Sequence, residues 1–240
     1  MTGVKAVIFD FIGTLTELIG YSLEDANNKL YRSLVSNGYN ANQENFLEAY
    51  DKAHQKYHEI RYGQHVEVTN AVWVSEALNN LGYTTTSQDE EIKTAVNVFF
   101  EDYVRALKLR PFAKSILRRL SQNYELGLIS NFTYAPVIFG GLRKLNINGF
   151  FDAVLVSEMV GWRKPNPRIF QEALQKLCVA SKEAVFVGDS PIEDMYGAKR
   201  AGMKTVFIPS QFNSLEDLKY ASQKPDHAVE DLREILRVLS

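Results

Sequence analysis

The sequence predicts an α/β protein whose doubly wound parallel sheet is interrupted by an inserted helical domain. Three observations carry that expectation. The run Ala6-Val7-Ile8-Phe9 is too short for a helix and apolar throughout, as in a strand buried on both faces. From Arg110-Pro111 onward, short apolar runs alternate with helical stretches, the pattern of a sheet built through right-handed crossovers. Between these regions, from about Ser22 to Leu107, the apolar residues recur only at helical spacing.

Taken in order, Ser22-Leu23-Glu24-Asp25 opens a first helix as a capping-box variant, and Gly38 closes it. A second runs from Asn42 to Gly63 on the stripe Phe46, Leu47, Tyr50, Ala53, Tyr57 and Ile60. Thr69 caps a third through Leu81, closed by Gly82. Ser87 caps a fourth, with Asp89, Glu90 and Glu91 in its first turn, where the helix dipole favours negative charge. The aromatic residues of this block read as packing. After Arg110 come a helix from Phe112 to Gln122, a strand Glu125–Ile129, a helix to about Leu145 and a strand Ala153–Val156. A helix from Pro167 to Leu177 follows, with proline in its first turn. Then come a strand Ala184–Val187, a helix from Ile192 to Ala201, a strand Thr205–Ile208, a short edge strand Ala228-Val229 and a terminal helix from Asp231. The expected division is a core of residues 1–15 and 110–240 and a four-helix domain of residues 16–109. An insertion after the first strand suits a lid.

Composition narrows the function classes. At 240 residues and 45% hydrophobic the chain supports a sizeable core. A net charge of −2 supplies no basic field for nucleic acid and no polybasic membrane patch. The single Cys178 excludes an intramolecular disulfide, and its place at a helix end reads as a buried, inert thiol. No charged-then-apolar leader precedes the first strand and no apolar run approaches membrane-spanning length, so a soluble, cytoplasmic protein is expected. The aromatic-rich helical block leaves monomer and homodimer both open.

Chemistry gathers at the strand ends. In open parallel sheets, ligands bind outside the carboxyl ends of the strands. Asp10 stands where the first apolar run stops, followed by Phe11, Ile12, Gly13 and Thr14. Ser130-Asn131 closes the next strand with a hydroxyl and an amide, either able to hold an oxyanion or merely to cap a helix. Lys164 lies in a loop stiffened by Pro165 and Pro167. Asp189, Glu193 and Asp194 crowd one strand-to-helix turn, and clustered carboxylates there suit a hard cation such as Mg²⁺.

Together these residues resemble the haloacid dehalogenase-like hydrolase superfamily, and the resemblance spans nearly the whole chain. It implies a Rossmann-like core with a helical cap inserted after the first motif. It further implies Asp10 as nucleophile and Thr14 or Ser130 as the group binding the transferring phosphoryl, with Asn131 expected beside them at the substrate. Phe11, Ile12 and Gly13 would line the substrate, and Lys164 would neutralise charge. Mg²⁺ would be held by Asp10, the Ile12 backbone carbonyl, Asp189 and, directly or through water, Asp194. A bound cation and a lysine let a carboxylate attack a phosphoryl group without mutual repulsion.

One departure bears on the reaction. Phosphatases of this superfamily usually carry a second Asp two residues after the nucleophile, which protonates the leaving oxygen; here Ile12 occupies that position. Such acid–base help is worth about 10²–10⁴-fold, so a phosphatase of small phosphorylated metabolites with reduced activity is expected. Glu17, Glu193, His54, His58 and His65 are candidate substitutes. The 2-haloacid dehalogenases also lack the second Asp, since halide leaves without a proton, and a halogenated substrate is the first alternative. Asp189 and Pro191 stand against it, where dehalogenases typically carry Ser and Asn. A phosphonatase using Lys29, Lys52 or Lys56 lacks a signature, and a weakly active or inactive phosphate-ligand binder completes the alternatives.

Overall fold

The computed structural model describes residues 1–239. Strand β1 (Ala6–Phe9) is followed by the short β2 (Thr16–Leu18) and then by four helices, α1 (Leu23–Ser36), α2 (Gln43–Gln64), α3 (Asn70–Asn79) and α4 (Glu90–Ala106). The chain returns through β3 (Leu107–Leu109), α5 (Ala113–Leu120), β4 (Glu125–Ser130), α6 (Ala135–Lys144) and β5 (Ala153–Val156). The one-turn α7 (Ser157–Val160), α8 (Pro167–Lys176), β6 (Ala184–Gly188), a π-helical turn (Pro191–Tyr196) and α9 (Gly197–Arg200) come next. Strands β7 (Lys204–Phe207) and β8 (His227–Ala228) and helix α10 (Glu234–Leu239) complete the described chain.

Two compact units emerge: Met1–Ile19 with the chain from Leu107 onward, and Gly20–Ala106. The first holds a parallel sheet in the order β5-β4-β1-β6-β7-β8. Central β1 pairs with β4 and β6, with Phe9 level with Leu128 and Val187. All four β1 residues are fully buried, as the uninterrupted apolar run requires of a strand covered on both faces. On one face Ile8, Ile129, Leu155, Phe186 and Phe207 pack against Ile169, Phe170 and Ala173 of α8. The Phe170 and Phe186 rings meet edge to face at 5.2 Å.

The second unit is the helical block. Ser22 caps α1 by accepting from the Asp25 amide, and Asn42 caps α2 by accepting from Asn45, each satisfying a donor left over at a helix start. Asp89 lies just outside α4, its carboxylate bonded to the Thr86 amide and hydroxyl. An ion pair between Lys29 and Asp102 ties α1 to α4.

Three details differ from the sequence reading. An antiparallel ribbon, β2 on β3, pairs Thr16 with Leu109 and Leu18 with Leu107. It belongs to the sheet unit, so the helical unit runs from Gly20 to Ala106 rather than over 16–109. The stretch expected as one helix from Ile192 to Ala201 begins as the π-helical turn, in which the Ser190 carbonyl accepts from both Asp194 and Met195. And Cys178 is exposed, not buried.

Cys178 occupies the left-handed position (φ 54°) of a Schellman motif closing α8, where the Val179 amide reaches Leu174 and the Cys178 amide reaches Gln175. Glycine is the residue such a position favours, and a side chain there costs about 1 kcal/mol or more. Cys178→Gly is therefore expected to stabilise the protein by about 1 kcal/mol, a rise in Tm of roughly 2–4 °C for a chain of this size in thermal denaturation.

Candidate active site

The parallel register delivers three strand ends to one edge of the sheet. The Asp10 amide extends the ladder by donating to Val187 at 2.9 Å, which holds Asp10 directly beyond β1. Ser130 is the last residue of β4, and Asp189 follows the last residue of β6. Asp10, Ser130, Lys164, Asp189 and Asp194 are all at least nine-tenths buried.

Lys164 is the hub. Its ammonium donates to Asp10 Oδ1 at 2.7 Å, to Asp194 Oδ1 at 2.7 Å and to the Ile129 carbonyl at 3.2 Å, and it lies 5.4 Å from the centre of the Phe186 ring. Burial works against its charge, but the Asp10, Asp194 and Glu193 carboxylates outweigh it and hold the lysine pKa above its usual range. Burial pushes Asp10 up to about 8; Lys164 opposes that shift, and the Asp194 and Asp189 carboxylates add to it. Asp189 is likewise raised, by burial first and Asp194 second. Three carboxylates thus face one ammonium.

The predicted residues differ in what they touch. Asp194 spends both oxygens within the protein: Oδ1 on Lys164 and Oδ2 on the Ser190 amide at 2.9 Å. The π-helical turn makes this reach possible, and Gly188 permits it, because a Cβ at 188 would collide with the Asp194 carboxylate. Asn131, expected to hold an oxyanion, brackets Lys164: its Nδ2 donates to the Lys164 carbonyl at 2.9 Å and its Oδ1 accepts the Lys164 amide at 2.8 Å. The residue types that hold anions also bracket peptide units, so sequence alone could not separate the two. Among the described residues the buried Thr14 hydroxyl has no hydrogen-bond partner, and the buried Ser130 side chain forms no hydrogen bond.

After β1 the chain folds tightly back. The Phe11 carbonyl accepts from Leu15, from the Thr16 amide and from the Thr16 hydroxyl, and the Gly13 amide donates to Thr16. The amides of Phe11 and Ile12 and the Ile12 carbonyl have no hydrogen-bond partner within the protein. Ile12 itself is half-buried. Gly13 adopts φ +100°, and a Cβ there would lie 2.5 Å from Asp189 Oδ2. Of the suggested acid–base substitutes, Glu193 is committed to Arg163 at 2.9 Å. The three histidines belong to the other unit.

Three participants were missed from sequence. Arg110 donates to the Gly13 carbonyl at 2.7 Å and supports the Gly13 turn. Ser210 and Asn213 donate to Asp189 Oδ2 at 2.5 Å and 3.1 Å. Nothing in their local sequence separates these last two from any polar loop.

A family model described as haloacid dehalogenase-like hydrolase matches residues 4–202. The chain belongs to this family. Relatives of this haloacid dehalogenase-like hydrolase include a glyceraldehyde 3-phosphate phosphatase of Methanothermobacter thermautotrophicus, 30% identical over 218 residues and 89% of each chain. Another, of Pyrococcus furiosus, is 35% identical over 127 residues; that match spans 52% of each chain, about half the length of the relative. Among solved structures, a 2-haloacid dehalogenase from Pseudomonas syringae pv. tomato superposes with a TM-score of 0.71 at 24% identity, over 98% of this chain and 97% of that one. Among the described residues, no helix is long and apolar enough to cross a membrane.

The donor set of this hydrolase suits a hard divalent cation. Asp10, Asp189 and Asp194 each bring a carboxylate oxygen within 4.8 Å of the others. Asp10 Oδ2 is buried without a hydrogen-bond partner, and Asp189 Oδ1 accepts from no protein donor. An oxygen-only set with an excess of negative charge matches the preference of Mg²⁺. The sign of its pH dependence follows from Asp10. With a pKa of about 8 in the fold and 3.8 in the open chain, the native state binds the extra proton, so metal-free stability falls as pH rises between those values. A cation removes that penalty. In thermal melts after chelation, added MgCl₂ is expected to raise Tm more at pH 8 than at pH 5.5.

Proposed function

We propose that the protein is a Mg²⁺-dependent phosphatase of small phosphorylated metabolites that works through an aspartyl-phosphate on Asp10. The observation that carries this reading is the buried Asp10–Lys164–Asp194 array with Asp189 beside it and Asp10 Oδ2 free of protein donors. The glyceraldehyde 3-phosphate phosphatases among its relatives support the substrate class.

In this mechanism Asp10 Oδ2 attacks phosphorus while Lys164, bonded to Oδ1, holds the carboxylate in place and opposes its protonation. The phosphoryl oxygens settle against the Phe11 and Ile12 amides and the Ser130 and Thr14 hydroxyls, groups without protein partners of their own. Asp10, Asp189 and the Ile12 carbonyl would hold Mg²⁺, which neutralises the charge of the phosphoryl group. Asp194 acts at one remove, by fixing the Lys164 ammonium from the side opposite Asp10. Asn131 sets the lysine's backbone. The bond from phosphorus to the leaving oxygen breaks, and water then hydrolyses the acyl phosphate to restore Asp10.

Ile12 supplies no proton to that leaving oxygen, so substrates whose oxygen departs as a stable anion turn over best. The apolar Ile12 also favours a second reading, 2-haloacid dehalogenation, in which Asp10 attacks carbon and halide leaves unprotonated. The acidic cluster opposes it, because three carboxylates repel a haloacid's own carboxylate.

Hydrolysis of p-nitrophenyl phosphate tests the proposal. Turnover is expected with Mg²⁺, to be lost with a chelator and to fall by at least 10³-fold in Asp10→Asn. Chelator-resistant halide release from a 2-haloacid, with no phosphate release, would establish the second reading instead. Ile12→Asp is expected to raise kcat on alkyl phosphates, approaching the roughly 10²–10⁴-fold that general acid–base catalysis provides. The gain should be small on p-nitrophenyl phosphate, whose leaving group needs little protonation.

A further inference from the structure

We infer that Ser210 and Asn213 form a clamp that makes Asp189 a one-oxygen metal ligand and so sets both the affinity for Mg²⁺ and the preference for it over Ca²⁺. The inference rests on the reading of Asp189 as a metal ligand and adds positioning residues outside the motifs that carry the family resemblance.

The hydroxyl of Ser210 has one proton and two acceptor sites. Both acceptor sites are filled, by the amides of Phe212 at 2.9 Å and Asn213 at 3.2 Å, so the proton goes to Asp189 Oδ2. Asn213 Nδ2 donates to the same oxygen. The turn that carries both residues is closed on itself, with the Ser210 amide donating to the Asn213 carbonyl at 2.7 Å. It is also anchored to a neighbour: the Gln211 side chain accepts the Leu18 amide at 2.9 Å and donates to the Leu18 carbonyl at 3.3 Å, pairing with β2 as another strand would. On another side, Oδ2 lies 2.5 Å from where a Cβ of residue 13 would stand, too close for any side chain there.

Asp189 Oδ2 is therefore engaged by two donors and wedged against Gly13, while Oδ1 meets no protein donor. A carboxylate held this way presents one oxygen and cannot swing to chelate with both. Mg²⁺ demands compact octahedral geometry and uses single carboxylate oxygens, whereas Ca²⁺ takes six to eight oxygens and readily accepts two from one carboxylate. Orienting groups behind a ligand are typically worth about 10–100-fold in metal affinity.

Calorimetric titration of the chelated full-length protein with MgCl₂ and with CaCl₂, alongside metal-free melts, tests the clamp. Asn213→Ala removes one donor and leaves every backbone bond of the turn. Ser210→Ala removes the other donor, and Ser210→Thr restores a hydroxyl. The expected result is a Mg²⁺ Kd raised by about 10–100-fold in the alanine variants, Ca²⁺ binding changed less, and Ser210→Thr close to the parent. Unchanged Mg²⁺ binding in folded Asn213→Ala and Ser210→Ala would overturn the clamp alone. Equal weakening for both cations would overturn its role in metal choice. A parent protein that takes up no Mg²⁺ at all would overturn the metal reading and the clamp together.

Discussion

A buried ammonium ion shared between two buried carboxylates is the constraint on which the site depends. The Asp10 and Asp194 carboxylates offset the cost of burying the Lys164 ammonium beneath the sheet edge, and Lys164 in turn opposes the rise that burial imposes on the Asp10 pKa. Such an array is unforgiving, because deleting one partner leaves an uncompensated buried charge. The surroundings are consequently built around it. Asn131 fixes the lysine backbone, the Ser190 amide and the π-helical turn bring Asp194 to its far side, and Gly188 gives that carboxylate room.

The array also imposes a polarity on Asp10. One oxygen faces the ammonium and the other has no protein partner, so the two atoms of a chemically symmetrical group acquire different tasks. Fixed positive charge on one side and an excess of carboxylate on the other polarise the edge, which is the setting that the proposed function requires. The turn after β1 contributes amides rather than side chains. For that reason a hydrophobic residue at position 12 is compatible with anion binding even though it removes a proton donor.

Much of this was legible in the sequence because burial patterns locate strand ends. Asp10 and Asp189 each follow an uninterrupted apolar run, and in a parallel sheet those ends share one edge. The helical block was legible from its periodicity and from the Ser22 cap, whereas Thr69 makes no capping hydrogen bond and α4 begins at Glu90, past the expected cap Ser87. The β2–β3 ribbon was not, since three residues are too few to show a period and the partner strand lies beyond four helices. The bracketing of Lys164 by Asn131 was not legible because amides serve equally well as anion donors and as brackets for a peptide unit. Ser210 and Asn213 matter only through a carboxylate 21 and 24 residues away, a relation that no local pattern encodes. Cys178 was expected inside because free cysteines usually are, but a helix-terminating backbone position overrode that preference.

The central place of β1 has a consequence for biosynthesis. Its two neighbours, β4 and β6, end at residues 130 and 188, so this wholly apolar strand is made well before either strand that pairs with its edges. At about 5–20 residues per second, roughly 10–40 s separate its synthesis from that of its second partner. The helical unit, by contrast, is contiguous from Gly20 to Ala106 and has all its segments before β4 is begun. An apolar strand thus stays without edge partners in the growing chain while the helical unit already has its whole sequence.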